Sequence, residues 1–456
     1  MTESNSPFSY ALKIGGQANR QSVIAWLLLG LVSLVAAGVF SILLVLARTP
    51  VIQELIPLLD FFRIALVVHV TLSVLVWLLA MSALSWSLIA TRDNTAWDRL
   101  SFLLAAFGTA IIIVCPFLGA GDPLMNNYVP VLRDPLFYAG LGLFTAGIFS
   151  HLLRAASCWP RFGQALSGTE ALHVGIALST GLTGLALLAV LASWLQLPST
   201  IDGQIYFEFL FWGGGHIVQF SYTLLMMIAW VVLAVASGCR FELTPRLTLV
   251  FLIFLVLPAI TVPFLYFAHD VTTAGHRIAF TELMKYGGLS CLPIGLAVAA
   301  SLWRAPSPAG EARYLRAALV SSLSLFTVGG FLGFMIAGLD IVIPAHYHGA
   351  TVGVTIAFMG LTYYLLPRLG FGTLPETMAT WQPLLYGGGQ LMHVAGLAWS
   401  GGYGVQRKTA GAAQALDGFS QTAGMGLMGL GGLISVIGGL LFLVVAYRSL
   451  RGHKEA

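Results

Sequence analysis

The sequence predicts an all-α integral membrane protein that crosses the bilayer twelve times, as one transmembrane domain over residues 1–456. Three observations carry this. The chain is 58% hydrophobic and 9% charged, whereas soluble domains carry about 25% charge. Its mean hydropathy is +0.88. Apolar runs of the roughly 20 residues that a helix needs to cross hydrocarbon recur from end to end.

In chain order the spans fall at about 22–47, 61–91, 99–121, 136–156, 171–196, 205–237, 246–268, 278–303, 313–340, 345–367, 379–402 and 422–448. A short polar tail, 1–21, precedes them, and a tail over 449–456 follows. The first tail has neither a short apolar core nor a small-residue cleavage site, so it does not read as a cleavable signal peptide. The linkers are short and gather the Pro, Gly and charge, as in Arg304 to Glu311. The Gly-rich stretch from Gly424 to Gly439 suits close helix packing in lipid. Cys115, Cys158, Cys239 and Cys291 are scattered, with no C-x-x-C pair. That excludes a Cys-type zinc site, a covalently attached heme and a disulfide framework. The pI near 8.9 reflects basic loops and implies no nucleic-acid partner.

Lys and Arg set the orientation, because cytoplasmic loops are enriched in them. With both termini inside, 15 of the 22 basic residues fall on the inner side. An even number of spans with a cytoplasmic N-terminus satisfies this. The chain is expected in a bacterial or archaeal inner (cytoplasmic) membrane.

Histidines are the chemically informative residues. His346 and His348 open the tenth span. Residues i and i+2 of a helix point about 200° apart, so one helix could serve two metal centres, one on each flank. Alone, such a pair reads as easily as two solvated histidines at a helix end. However, His69 lies about eight residues into span 2, His216 about eleven into span 6, and His269 ends span 7. All five therefore fall in the outer half of the bilayer, where ionisable residues are rare and usually functional. Imidazole is a common ligand of heme iron, zinc and copper. His216 follows Gly213-Gly214-Gly215, which either admits another group close to the backbone or serves helix packing. His269 precedes Asp270, as a metal-ligand pair or an interfacial ion pair. His393 also lies in the outer half. His151, His173, His276 and His453 receive no role.

These residues, in this order, resemble the catalytic subunit I of the heme–copper oxidase superfamily, a twelve-span fold. The resemblance covers nearly the whole chain. His69 matches the span-2 axial ligand of a low-spin heme. Trp212 and His216 match the W-x-x-x-H of span 6, whose histidine binds the second metal. His269 and Asp270 fall on the histidine pair after span 7. His346 and His348 match the H-x-H of span 10, where the first ligates a high-spin heme and the second the low-spin heme. Arg407 and Lys408 look like the basic pair that holds heme propionates. The resemblance implies two hemes and one non-heme metal, iron or copper, bound by His216, His269 and Asp270.

Three departures bear on activity. Asp270 replaces an imidazole, and a His, His, Asp set is harder and suits iron better than copper(I). Phe220 stands where the oxygen reductases commonly place a tyrosine, four residues after the span-6 histidine. The span-8 lysine and the asparagine-rich motif of the inner proton paths are not evident; Asn126 and Asn127 lie outside. These losses are similar to the nitric oxide reductase branches, although Phe220 also occupies the position of their usual glutamate. The expectation is therefore an atypical reductase of nitric oxide to nitrous oxide. Asp270, Glu208 and Glu282 are the candidate proton-handling acids; Lys285, one turn from Glu282, could pair with it. The alternatives are an O2-reducing terminal oxidase, with its tyrosine at Tyr266 or Tyr222, and a heme electron-transfer or sensor protein. The chain has no covalent-heme or two-copper motif, so a donor is expected: a partner subunit, cytochrome c, a cupredoxin or a quinol. The other partners are the bilayer and a small gaseous substrate.

Overall fold

The computed structural model describes residues 8–46, 59–90, 95–119, 121–157, 166–336, 340–405, 416 and 418–452. Helices dominate. α1 is Gln17–Leu46. α2 begins as Leu59–Val70, passes through a π-helical turn at Thr71–Val76 and continues as Trp77–Ile89. α3 is Thr95–Val114, α4 Pro135–Ala156, α5 Gly168–Gln196 and α6 Gly203–Ala236. α7 comprises Pro245–Val256 and Val262–Ala268, joined by a tight turn at Leu257–Thr261. α8 comprises Ala274–Gly287 and Leu292–Trp303. α9 is Glu311–Phe334, α10 Val342–Arg368, α11 Glu376–Gly401 and α12 Phe419–Arg451. Among the described residues, eleven helical spans are long and apolar enough to cross a membrane. α11 has the length, at 26 residues, but carries more polar side chains.

Local chemistry sets the helix starts. Asp134 caps α4 by accepting from the N–H groups of Leu136 at 2.8 Å and Phe137 at 3.2 Å, with Pro135 at the first helical position. Such a side chain satisfies donors that the helix leaves unpaired. Ser167 and Glu170 form a reciprocal capping box on α5. Thr273 caps α8 by accepting from His276 N–H. One expectation is corrected. The eighth helix starts at Ala274, not near 278, because Thr273 is a cap the apolar pattern does not reveal. α1 starts at Gln17 and α12 ends at Arg451, so both helices run a few residues into the polar tails. There is also a two-stranded antiparallel ribbon between α3 and α4, β1 (Pro123–Leu124) and β2 (Val131–Leu132), pairing Pro123 with Leu132 and Leu124 with Val131.

The chain forms two compact units. The first, Leu12–Leu225 with Pro245–Cys291, holds α1–α5, α6 up to Leu225, α7 and the first part of α8. All thirteen residues of Trp77–Ile89 are buried there. Polar side chains pair across its helices, which offsets the cost of burial: Trp86 Nε1 donates to Ser179 Oγ at 2.9 Å, and Thr183 and Ser221 hydroxyls meet at 2.9 Å. The second unit holds Met226–Thr244, Leu292–Ala456 and the first eleven residues. In it Trp230 Nε1 donates to Ser322 Oγ at 2.8 Å, which donates to the Gly353 carbonyl at 2.6 Å. The expected close packing of the Gly-rich helix is present: a Cβ on Gly431 of α12 would collide with the main chain of His393 and Gly389 on α11.

Candidate active site

In the first unit, functional side chains gather around the outer half of α6. The Gly213-Gly214-Gly215 run serves both purposes foreseen for it. A Cβ on Gly213 would collide with the Tyr266 hydroxyl, one on Gly214 with α5 at Val190 and Ala186, and one on Gly215 with the Tyr128 ring. Glycine is what lets two tyrosines and a helix touch this backbone. His216 follows, 5% exposed. Its Nδ1 lies 2.7 Å from the Trp212 carbonyl, and the Tyr128 hydroxyl lies 2.9 Å from Nδ1 and 3.0 Å from Nε2. A carbonyl only accepts, so Nδ1 carries the proton and Nε2 offers its lone pair, toward which the phenol donates. Desolvation and the nearby Glu208 charge push the Tyr128 phenol above its usual range, so it keeps that proton.

The ribbon β1–β2 delivers Tyr128. Asn126 Oδ1 accepts from Tyr128 N–H at 3.0 Å and Val129 N–H at 2.8 Å. Glu208, two turns before His216, accepts from Asn127 N–H at 3.0 Å and also from its side-chain amide. Trp212 packs edge-on against Tyr128, centroids 5.8 Å apart, and its Nε1 donates to the Arg277 carbonyl of α8 at 3.2 Å.

His269 is half-buried at the end of α7, its ring against Gly275. The Asp270 carboxylate is exposed and accepts from Thr272 N–H at 2.8 Å and Thr272 Oγ1 at 2.5 Å, which holds it below the usual carboxylate range. His216, His269 and Asp270 thus do not form a closed triad. Among the described residues, no three His, Cys, Asp or Glu stand close enough to hold a metal ion. His276, given no role from the sequence, is fully buried in α8. Its ring centroid lies 5.0 Å from that of Tyr266 and 4.8 Å from that of Phe280, which in turn is 6.0 Å from His216. Among the described residues neither ring nitrogen of His276 has a hydrogen-bond partner. Tyr266 is turned to α5, bonded to Ser193 Oγ and the Ala189 carbonyl, each at 2.8 Å. Phe220 is buried against Gly287 and Pro258. Glu282 is exposed, and the Lys285 ammonium lies 5.8 Å from the centre of the Tyr286 ring. His69, also in the first unit, is half-buried with Nδ1 2.9 Å from the Ala37 carbonyl.

In the second unit, the two imidazoles of α10 do face different helices. His346 turns to α9, with Nδ1 2.7 Å from the Gly329 carbonyl and its ring over Gly333. His348 turns to α11, with its ring centroid 4.7 Å from that of His393, whose Nδ1 lies 3.0 Å from the Met428 carbonyl. Arg407 and Lys408 lie outside the described residues.

One feature recurs. His69, His216, His346 and His393 each place Nδ1 on a main-chain carbonyl. That fixes one tautomer and puts the lone pair on Nε2, the usual support for a ligating imidazole; at His216 the Tyr128 phenol stands on that lone pair. The imidazoles present thus suit hemes, whereas the three candidate ligands of a second metal form no closed group among the described residues.

A multi-span helical membrane protein with several histidines anchored on main-chain carbonyls is the class that fold and site define. Residues 21–441 match the family described as cytochrome c and quinol oxidase polypeptide I. The chain belongs to that family, the heme–copper oxidase subunit I, and is a membrane oxidoreductase of it. It is 29% identical to an uncharacterized protein of Rickettsia prowazekii (strain Madrid E), covering 96% of this chain and 98% of that one. It is 30% identical to an uncharacterized protein of Aquifex aeolicus (strain VF5), covering 76% and 85%. Among solved structures it is similar to a heme-copper terminal oxidase dimer, with a TM-score of 0.73 and 16% identity over 97% of this chain and 86% of that one. That likeness shows the fold.

Proposed function

We propose that the protein reduces nitric oxide to nitrous oxide, taking electrons from a partner subunit, cytochrome c, cupredoxin or quinol. The heme ligands in this reading are His69, His346 and His348, each in the role its motif implies, and Arg407 and Lys408 hold propionates. His216, His269 and Asp270 bind the second metal. When bound, hemes and metal supply electrons and Lewis acidity to two NO molecules. The reaction takes two NO, two electrons and two protons to one N2O and one water. The chain orients imidazoles by main-chain carbonyls, keeps water from His216, and presents carboxylates at its outer margin for proton handling.

The observation that carries the reading is Phe220. Buried against Gly287 and Pro258, it has no hydroxyl to supply the proton and electron that O–O cleavage draws from a tyrosine, whereas N–N coupling needs only two electrons. Purified protein with a reduced donor is expected to form N2O from NO and consume O2 slowly, with the non-heme metal measured per heme. Fast O2 uptake without N2O would overturn this.

Tyr128 favours a second reading. Its hydroxyl touches His216, so a phenol is present although Phe220 lacks one. Under this reading the reaction is four-electron, four-proton reduction of O2 to two waters. O2 uptake lost in Tyr128→Phe, with no N2O from the parent protein, selects it.

A further inference from the structure

We infer that Glu208 is a positioning residue: it pins Asn127 so that the adjacent Tyr128 is held on His216, and through the phenol it fixes the imidazole. This reassigns a carboxylate that its depth alone marks as a proton carrier, and it rests on the reading that His216 binds the second metal.

The geometry forms one strap across α6. Asn127 and Tyr128 are neighbours in the chain, and they dock on the same helix at points two turns apart. Asn127 docks on Glu208 through both its main-chain and its side-chain N–H groups. Tyr128 docks between Trp212, Gly215 and His216. Both Glu208 oxygens are engaged by the one residue. Charge-assisted hydrogen bonds of this kind are roughly twice as strong as neutral ones. Asn126 stiffens the loop from within by accepting from two consecutive N–H groups. On the far side, Gly215 allows the ring to lie flush on the backbone, so the phenol is clamped between an anchor and a wall. Mutation of a ligand's supporting partner typically costs 10–100-fold in metal affinity or activity. The strap acts at that level.

Glutamine separates the two roles. Glu208→Gln cannot carry a proton, but its amide oxygen still accepts from Asn127 N–H, and its NH2 meets the Asn127 side chain if that amide turns over. Glu208→Ala removes both functions. Two measurements on the purified holoenzyme read the outcome: hydrogen–deuterium exchange of residues 126–130, and the infrared stretch of CO bound to the reduced protein as a probe of the pocket facing His216. Glu208→Ala is expected to speed loop exchange by about tenfold, the ratio for losing hydrogen bonds to a charged acceptor. It should also shift and broaden the CO band, as Tyr128→Phe should. Glu208→Gln should leave both near the parent values. Unchanged exchange in Glu208→Ala overturns the anchor. Faster exchange with an unmoved CO band overturns the positioning of His216. Glutamine as disruptive as alanine in both measurements overturns the inference in favour of a role for the charge itself. A parent protein that carries no non-heme metal overturns the metal-site reading instead, while the exchange measurement still decides the strap.

Discussion

The first unit buries two histidines to nearly the same degree, His151 at 2% and His216 at 5% exposure, and their partners divide them. His151 sits in an ionic setting. Its Nε2 lies 3.1 Å from both Ser87 Oγ and the Ala83 carbonyl, and its Nδ1 3.9 Å from an Asp98 oxygen that is 3.3 Å from Arg154 Nε. An acid, a base and a hydroxyl surround that group. His216 has a carbonyl on one nitrogen and a phenol on the other. Burial marks both regions; an ion pair marks one and a phenol the other.

The largest test of this contrast exchanges the two imidazoles for alanine. His216→Ala should lose the non-heme metal and reduce turnover on the order of 100-fold or more, since ligand loss exceeds the 10–100-fold cost of losing a supporting group. His151→Ala should keep metal and heme content, and lose stability instead. Metal analysis per heme on both variants reads the difference, and equal metal in the two would erase the distinction.

The second test breaks the ionic side. Asp98→Ala leaves the Arg154 guanidinium, 2% exposed as a side chain, without its carboxylate. Removing one partner of a buried pair typically costs about 3–5 kcal/mol. Thermal unfolding in detergent should fall accordingly, while the hydrogen bonds of His216 are untouched. A stability within about 0.5 kcal/mol of the parent, the range of ordinary surface changes, would mean water reaches the pair.

The third test is Gly215→Ala. The new methyl collides with the Tyr128 ring, and overpacking costs typically about 1–3 kcal/mol. The ribbon must lift, so Tyr128 leaves His216. Turnover should fall by about tenfold, the lower end for a lost supporting group, with His216 itself intact. Retained turnover with a displaced loop would show that the phenol does not support the imidazole.

How much of this was legible beforehand follows from the range of each signal. Periodicity, length and Lys/Arg bias are local, and they led to the helices and to His69, His216, His346 and His348 on them. The opposed faces of the two α10 histidines follow from helix geometry alone, and the structure has them. Tyr128 was not legible, because it reaches His216 from a ribbon 88 positions away; the adjacent Asn126 and Asn127 had drawn notice only as a displaced motif. His276 was missed for a local reason. Thr273 starts α8 a turn earlier than the apolar pattern does, which moves His276 from an outer loop into the helix and the core. At Asp270 the expectation of a metal ligand meets a competing local use, the turn closed by Thr272, which Asx residues commonly make.

The smallest expected effect sharpens the comparison by setting one tyrosine against another. Tyr266 and Tyr128 both lean on the glycine run of α6, and Tyr266 is the more obvious sequence candidate because it lies three residues before His269. Its hydroxyl, however, is spent on α5. It shares a bond with Ser193 Oγ and donates to the Ala189 carbonyl, while its ring fills the space between Gly213 and His276. Tyr266→Phe keeps the ring and removes one hydroxyl. The expected loss is about 1 kcal/mol of stability, the usual worth of a neutral hydrogen bond, and Ser193 can re-pair with its own helix carbonyls. Turnover should stay within about twofold, equivalent to a few tenths of a kcal/mol. Tyr128→Phe, with the same atom deleted, should cost more in turnover than in stability, because its hydroxyl ends on the His216 imidazole. Steady-state rates and unfolding midpoints of the two variants, measured side by side, decide it. If Tyr266→Phe abolishes turnover while Tyr128→Phe spares it, the working phenol is the one facing α5, and the part played by the ribbon loop is packing.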